Sequence, residues 1–443
     1  MDPPAGATRP TILLFGTCDT KLSELLFLKH ALSENPRAAT VLLADVGRVP
    51  VAHAEIDIPR GELLPHPPAG FDGFPRNVVI ASMSGALVPL INSRLSLSSL
   101  HGVISIGGSG GTSLATSAMR NSALPVGFPK MVVSTMAAGD MSSFVGDSDI
   151  TTVYSVVDIA GMNSILSAIL TNAAGAMAGM AEAYHRIHRA PPSTPKKRAV
   201  AITMFGITTP AVTHARRVLE GENCEVFVFH CTGAGGRSME KLIVEGKMDG
   251  VLDLTTTELA DELVGGVMSA GPERLTAASR VGIPQIISTG ALDCVNFGPR
   301  DTVPERFRGR DLLVHNDSVT LMRASDEEMT GLGTRMAERV VANLDKPWRT
   351  AIWLPMAGFS SLSSLRGPWE GMVGFEGFRE NLVKGLGGVL ENEPRLELRV
   401  EDVGINEEAF AESAACRLLE MMKEAEEEDR REHNFFHGNG RVR

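Results

Sequence analysis

The chain has 443 residues, of which 43% are hydrophobic and only 5% aromatic, with 45 glycines. That length suits two or three domains, and an apolar fraction rich in small residues suits close-packed α/β layers. A formal charge of −11 argues against non-specific nucleic-acid binding, which needs a basic surface; a single nucleotide held by backbone amides and a metal ion stays open.

In chain order, residues 11–16 read as a buried strand. Residues 21–33 read as a helix with Leu22, Leu25, Leu26, Leu28 and Leu32 inward and Lys29 outward. Residues 40–46 follow as a strand, 79–100 as a helix, 102–106 as a strand, 112–120 as a helix, 130–135 as a strand and 160–188 as a long helix. The stretch from Arg189 to Arg198 holds three prolines and a basic cluster. It reads as a solvated linker, residues 191–198, rather than a nucleic-acid patch. The alternation then restarts. Strands are expected at 199–205, 225–230, 250–254, 284–288, 311–315, 350–354 and 395–400. Helices are expected at 210–219, 238–244, 325–344, 376–384 and 406–423, with a charged, frayed tail at 424–443. This pattern predicts an α/β protein of two Rossmann-like subdomains, residues 1–190 and 199–423, each a mainly parallel sheet flanked by helices.

The halves echo each other. Leu13-Leu-Phe-Gly-Thr-Cys-Asp-Thr20 resembles Thr203-Met-Phe-Gly-Ile-Thr-Thr-Pro210, and Gly108-Ser-Gly-Gly-Thr-Ser113 resembles Gly233-Ala-Gly-Gly-Arg-Ser238. A divergent duplication and a chance likeness of short motifs both account for this.

The most informative stretch is Ile104-Ser-Ile-Gly-Gly-Ser-Gly-Gly-Thr112, where a strand runs through four glycines into a helix. Glycines let bare amides converge, and a helix start adds unpaired N–H groups with a partial positive charge. Together they form an anion cradle suited to phosphate. The loop lacks the lysine of a Walker A motif, and Ser113 stands where a dinucleotide fingerprint has its third glycine. What remains is cradling by Gly107, Gly108, Ser109, Gly110 and Gly111, helped by the hydroxyls of Ser109, Thr112 and Ser113. At the end of the first strand, Thr17 and Thr20 can donate to phosphate, Lys21 can pair with its charge and Asp19 can hold Mg²⁺. Helix capping by Asp19 or Thr20 is an equal alternative. Asp140, Asp147 and Asp149 read as turn residues before metal or sugar ligands, and Asp158 and Asn163 as caps of the long helix.

In the second half, Thr232, Gly233, Gly235, Gly236 and Arg237 follow a strand, with Asp293, Asn316 and Arg323 as further polar candidates for a second ligand. A His230–Cys231 nucleophile pair is disfavoured, because strand neighbours point to opposite faces. The five cysteines form no CxxC pair, so neither a zinc site nor a disulfide framework is expected. Reduced thiols in a cytoplasmic protein are the simpler reading. Residues 162–183 come nearest to a membrane span, but their Asn, Ser and Glu content favours a buried helix. Gly175 and Gly179 within it permit close packing inside the domain or across a dimer.

Taken in order, six stretches resemble the family of the ATP-binding inhibitory domain of the tomato mosaic virus resistance protein, with its uncharacterised bacterial and fungal relatives. They are Gly16-Thr-Cys-Asp-Thr-Lys21, Ile106-Gly-Gly-Ser-Gly-Gly-Thr112, Ser155-Val-Val-Asp-Ile-Ala-Gly161, Phe229-His-Cys-Thr-Gly-Ala-Gly-Gly236, Gly290-Ala-Leu-Asp-Cys-Val-Asn-Phe-Gly298 and Val319-Thr-Leu-Met-Arg323. The resemblance implies a two-subdomain α/β protein that binds ATP with Mg²⁺ and pairs as a homodimer. In the plant protein this domain binds a viral replication protein; that partner is not carried over. The expectation is a cytoplasmic ATP-binding protein of open cellular role, with the phosphates on the first glycine loop. Two alternatives stand beside it. One is a metabolic enzyme acting on a phosphorylated or carboxylated small molecule between the subdomains; the other is a nucleotide-stabilised dimeric interaction protein.

Overall fold

A computed structural model describes residues 9–36, 39–189, 197–372 and 374–438. The chain divides into two compact units, Met1–Thr194 and Pro195–Arg443. The linker expected at 191–198 lies outside the described residues as far as residue 196.

The first unit runs β1 (Thr11–Gly16), α1 (Cys18–Ser33), β2 (Thr40–Asp45), α2 (Arg60–Leu63), α3 (Arg76–Ser96), β3 (Gly102–Gly107), α4 (Ser109–Asn121), β4 (Lys130–Ser134), α5 (Ser142–Val145), β5 (Thr151–Tyr154) and α6 (Ser164–Arg189). Its five strands lie in the order β2-β1-β3-β4-β5, every neighbouring pair parallel. A parallel sheet is covered on both faces, so its strands are apolar on both sides. Strand β1 sorts its residues by alternation. Ile12 and Leu14 pack with Leu25, Leu28 and Leu32 of α1 and with Leu166, Leu170 and Met177 of α6. Leu13 and Phe15 pack with Val79, Met83 and Leu87 of α3 and with Leu114 and Ala118 of α4. Each such leucine contributes about 2 kcal/mol by leaving water. Helices α3 and α6 are long and apolar enough by composition to cross a membrane; in the fold their apolar stripes cover the two faces of this sheet.

The second unit runs β6 (Arg198–Met204), α7 (Thr209–Gly221), β7 (Cys224–His230), α8 (Ala234–Val244), β8 (Gly250–Thr255), α9 (Glu258–Val264), α10 (Ala277–Val281), β9 (Gln285–Gly290), β10 (Cys294–Phe297), β11 (Leu312–Asn316), β12 (Val319–Arg323), α11 (Asp326–Ala342), β13 (Thr350–Pro355), α12 (Phe375–Asn392), β14 (Glu397–Glu401) and α13 (Glu408–Gly438). Six parallel strands form the main sheet in the order β14-β13-β9-β8-β6-β7. Strands β10, β12 and β11 form a separate antiparallel sheet.

Read from the other edge, β7-β6-β8-β9-β13-β14 repeats the order of β2-β1-β3-β4-β5 and adds a strand. Both units are therefore doubly wound α/β layers with one strand order. In each, the strand order reverses beside the first strand, at β1/β3 and at β6/β8. Open parallel sheets gather ligands outside the carboxyl ends of the strands at such a point.

Several boundaries differ from the expected ones. Helix α4 starts at Ser109, so Gly110 and Gly111 lie in its first turn rather than in a loop. Helix α12 runs past the expected stop at residue 384. Glycines there serve packing: a Cβ on Gly385 would stand 2.5 Å from Ala337 Cβ, and one on Gly333 would stand 2.2 Å from the Phe378 carbonyl, so α11 and α12 approach closely. The tail expected to fray from 424 instead continues α13 to Gly438. Ion pairs of Arg198 with Glu426 (2.7 Å) and Arg349 with Glu428 (3.0 Å) hold that continuation to the sheet.

Candidate functional site

The β1/β3 reversal opens on a cavity of about 560 Å³ lined by Thr17, Asp19, Thr20, Lys21, Gly108, Ser109, Gly110 and Gly111. Two segments chosen from sequence thus meet across adjacent strands. The structure adds Arg48, Arg76 and Asp158 in polar positions, with Val46, Val79, Ile80 and Leu114 forming an apolar side.

The start of α4 supplies the donors. Gly108 is the N-cap and no side chain caps the helix. Its first intrahelical bond is Thr112 N to Gly108 O at 2.8 Å, which leaves the amides of Ser109, Gly110 and Gly111 outside the helical ladder. Gly107 and Thr112, expected beside the phosphate, serve elsewhere. A Cβ on Gly107 would stand 2.8 Å from Gly111 Cα, so this glycine lets strand and helix meet. Thr112 is fully buried; its hydroxyl bonds Gly108 O at 2.9 Å and Ser134 Oγ at 2.6 Å, away from the cavity.

Arg76, the first residue of α3, lies over this turn. A Cβ on Gly110 would meet its guanidinium at 2.6 Å. The side chain is exposed and makes no hydrogen bond or ion pair among the described residues. Arg48 is tied to the carbonyls of Asp72 and Phe74, both at 2.9 Å.

The start of α1 is less open. The Cys18 amide donates to Asp45 Oδ1 at 3.2 Å and the Thr20 amide to Thr17 O at 3.1 Å. Thr17 and Thr20 hydroxyls pair at 2.8 Å. Lys21 Nζ donates to the Ile159 carbonyl, so this lysine ties down the loop after β5 rather than standing free. Burial, with Asp45 alongside, pushes the Cys18 thiol far up, so it stays protonated. Asp19 accepts from Val49 N at 3.0 Å through Oδ2, while its Oδ1 is buried with no partner. Asp19 lines the cavity, and its orphaned carboxylate oxygen fits a cation. Asn163 caps α6 through bonds from Ile165 N and Leu166 N; Asp158 lines the cavity instead.

The second set of candidates does not assemble. The amides of Gly233 and Gly236 at the start of α8 are already taken by Glu258 Oε1, at 2.7 and 3.1 Å. Glu258 in turn accepts from Arg274 Nε at 2.7 Å. Arg274 is fully buried and also reaches Asp253 at 2.7 Å and Glu240 at 3.3 Å. An internal carboxylate thus fills the place where a ligand anion was expected. Gly235 permits the turn, since its Cβ would fall 1.9 Å from His230 O. Thr232 Oγ1 bonds only that same carbonyl, at 3.4 Å. Arg237 donates to Ser269 O at 3.1 Å. Asp293 is buried under the hydroxyls of Ser360 and Ser363, and burial raises its carboxyl. Asn316 accepts from Ser318 N in an exposed hairpin, and Arg323 pairs with Asp311 at 2.6 Å. Cys231 is buried and donates to Thr255 O at 3.1 Å, which leaves no Cys–His pair.

The two echoes also separate. Phe15-Gly16 end β1 and Phe205-Gly206 directly follow β6, the first strand of each unit. The glycine motifs do not correspond: Gly108 follows the third strand, β3, whereas Gly233 follows β7, the counterpart of β2.

These features define a doubly wound α/β protein of two units, the first with an uncapped helix start that lines a cavity. The chain belongs to the family described as Uncharacterised protein family (UPF0261), whose N-terminal domain matches residues 10–186 and whose C-terminal domain matches residues 197–422. A UPF0261 protein of Clostridium tetani is 42% identical over 93% of this chain and 99% of its own length. The ToMV resistance protein Tm-1(GCR237) of Solanum lycopersicum is 36% identical over 94% of this chain, which spans 56% of the tomato protein. Among solved structures, a putative UDP-N-acetylglucosamine 2-epimerase from Listeria monocytogenes aligns over 95% of this chain and 98% of its own, at 11% identity and a TM-score of 0.21.

Proposed function

We propose that this chain binds ATP with Mg²⁺ in the crevice at the β1/β3 reversal. The observation that carries the reading is the uncapped start of α4, which lines a cavity together with Arg76, whose guanidinium has no partner among the described residues. A helix N-terminus and an arginine fork together favour phosphate oxygens. Val79, Ile80 and Leu114 offer an apolar wall for the base. Asp19, with its free Oδ1, would hold the ion beside the phosphates; when bound, the ion neutralises phosphate charge. Lys21 acts indirectly, by fixing the loop that carries Asp158.

Calorimetric titration with ATP, with and without Mg²⁺, tests the reading. Arg76→Ala removes a charge-assisted contact of about 2 kcal/mol and is expected to weaken ATP about thirtyfold. Asp19→Asn is expected to remove the Mg²⁺ dependence while metal-free binding persists. Absence of binding, or equal affinity in Arg76→Ala, would overturn the assignment.

A further inference from the structure

A second cavity, of about 670 Å³, lies wholly within the second unit, between α8, α10 and the loop joining residues 269–274. It belongs to no part of the site above. Helix α8 presents Arg237, Lys241 and Val244 to it, at positions i, i+4 and i+7. These spacings put the three on one helical face. Two like charges four residues apart repel by a few tenths of a kcal/mol on an isolated helix, yet neither pairs with a carboxylate among the described residues. Arg237 donates to the neutral Ser269 carbonyl. Lys241 is half-buried and has no hydrogen bond or ion pair among the described residues.

The carboxylates nearby are engaged or lie at the rim. Glu240 bonds the amides of Leu275 (2.7 Å) and Ala277 (2.8 Å) and the Arg274 guanidinium; burial raises its carboxyl. Glu273 faces Arg280 at 3.6 Å. Glu245 is exposed. The remaining wall is apolar: Val244, which is 57% exposed, lines it with Ala270 and Pro272. A lysine of intermediate burial lays its hydrocarbon stem along the protein and keeps its head in water; such a head beside an apolar wall marks where an acidic head with a hydrocarbon body would rest.

We propose that this cavity is a second ligand site, for a small amphipathic anion whose carboxylate or phosphate lies between Arg237 and Lys241 and whose apolar body covers Val244, Ala270 and Pro272. The experiment titrates the full chain with hexanoate and with hexyl phosphate, followed by calorimetry and saturation-transfer NMR, with hexanol as the uncharged control. Binding of either anion but not of hexanol is expected, and the stronger of the two identifies the head group. Lys241→Ala is expected to weaken that binding at least tenfold, and Val244→Ser to reduce the preference for hexanoate over acetate. Both positions are on the accessible face, and circular dichroism checks that each variant folds. Arg76→Ala in the first unit is expected to leave this binding unchanged. No binding of either anion at millimolar concentration, equal affinity in folded Lys241→Ala, or loss in Arg76→Ala would overturn the proposal.

Discussion

Gly107 and Gly110 stand three residues apart and respond to a side chain in different ways. At Gly107 the new Cβ meets backbone, 2.8 Å from Gly111 Cα, and backbone in a strand-to-helix turn has nowhere to move. Gly107→Ala is expected to destabilise the first unit by about 2 kcal/mol, read as a lower urea midpoint. At Gly110 the new atoms meet the end of the Arg76 side chain, which can swing aside. Gly110→Val is expected to keep the fold and lower ATP affinity at least tenfold by displacing Arg76. The sequence alone suggests that a Cβ there blocks the ligand's approach to the backbone; the structure makes Arg76 the first group displaced. Arg274 poses the opposite case. It balances Asp253 and Glu258 in the dry interior, and removing one member of such a cluster leaves uncompensated charge. Arg274→Met is expected to cost the second unit about 3–5 kcal/mol in denaturant unfolding, whereas Arg216→Ala, whose pair with Glu220 is exposed, is expected to change it by less than about 1 kcal/mol.

Elements were legible in the sequence where burial was two-sided. Strands β1, β3, β6 and β8 are buried almost end to end because helices cover both faces, and they are apolar through their middles but for Ser105, Thr203 and Asp253. Strand β5 escaped notice because it is a four-residue edge strand, exposed at both ends. Of the β10-β12-β11 sheet, β11 was expected at 311–315, whereas β10 and β12 were hidden because buried Asn296 and Thr320 interrupt their patterns. The glycine turn before α4 was legible because its donors are local. Arg76 was not, because α3 brings it there through tertiary packing. The loop at Gly233 misled because Glu258, which fills it, lies 25 residues further along the chain. One element junction carries a pH dependence. At the edge of β3, His101 Nδ1 accepts from Thr11 N at 3.0 Å, and its ring meets His185 edge-on at 4.4 Å. Burial, then the charges of His185 and His188, lower its pKa from 6.5 to about 4. The folded state therefore binds fewer protons than the unfolded one between those values, so stability is full above pH 6.5 and falls as pH drops toward 4. The ring is partly exposed, so the loss is on the order of 1 kcal/mol after solvent screening. His101→Gln is expected to flatten this acid limb in urea unfolding of the first unit between pH 7 and 4.

At the scale of the whole molecule, the two units share one strand order but not one site. In the first, the helix start at the strand reversal is open, because no side chain caps it and Arg76 has no counter-ion among the described residues. In the second, the glycine-started helix lies one strand away from the reversal, and Glu258 occupies its amides. A duplication that kept both sites would expose two equivalent cradles; here the Glu258 carboxylate fills the helix start of the second unit, and the proposed ligand would fill that of the first. This asymmetry predicts where ATP acts. At a hundred times its dissociation constant, a ligand that binds only the folded state adds about 2.7 kcal/mol. Hydrogen exchange with saturating ATP and Mg²⁺ is therefore expected to slow at Ser109, Gly110 and Gly111 and through the start of α3. The amides of Gly233 and Gly236, already bonded to Glu258, are expected to exchange at the same rate with and without nucleotide. In Glu258→Ala those two amides are freed, and they are expected to exchange faster whether or not ATP is present. Protection that appeared at Gly233 and Gly236 of the unaltered chain, and not at Ser109 to Gly111, would transfer the nucleotide to the second unit.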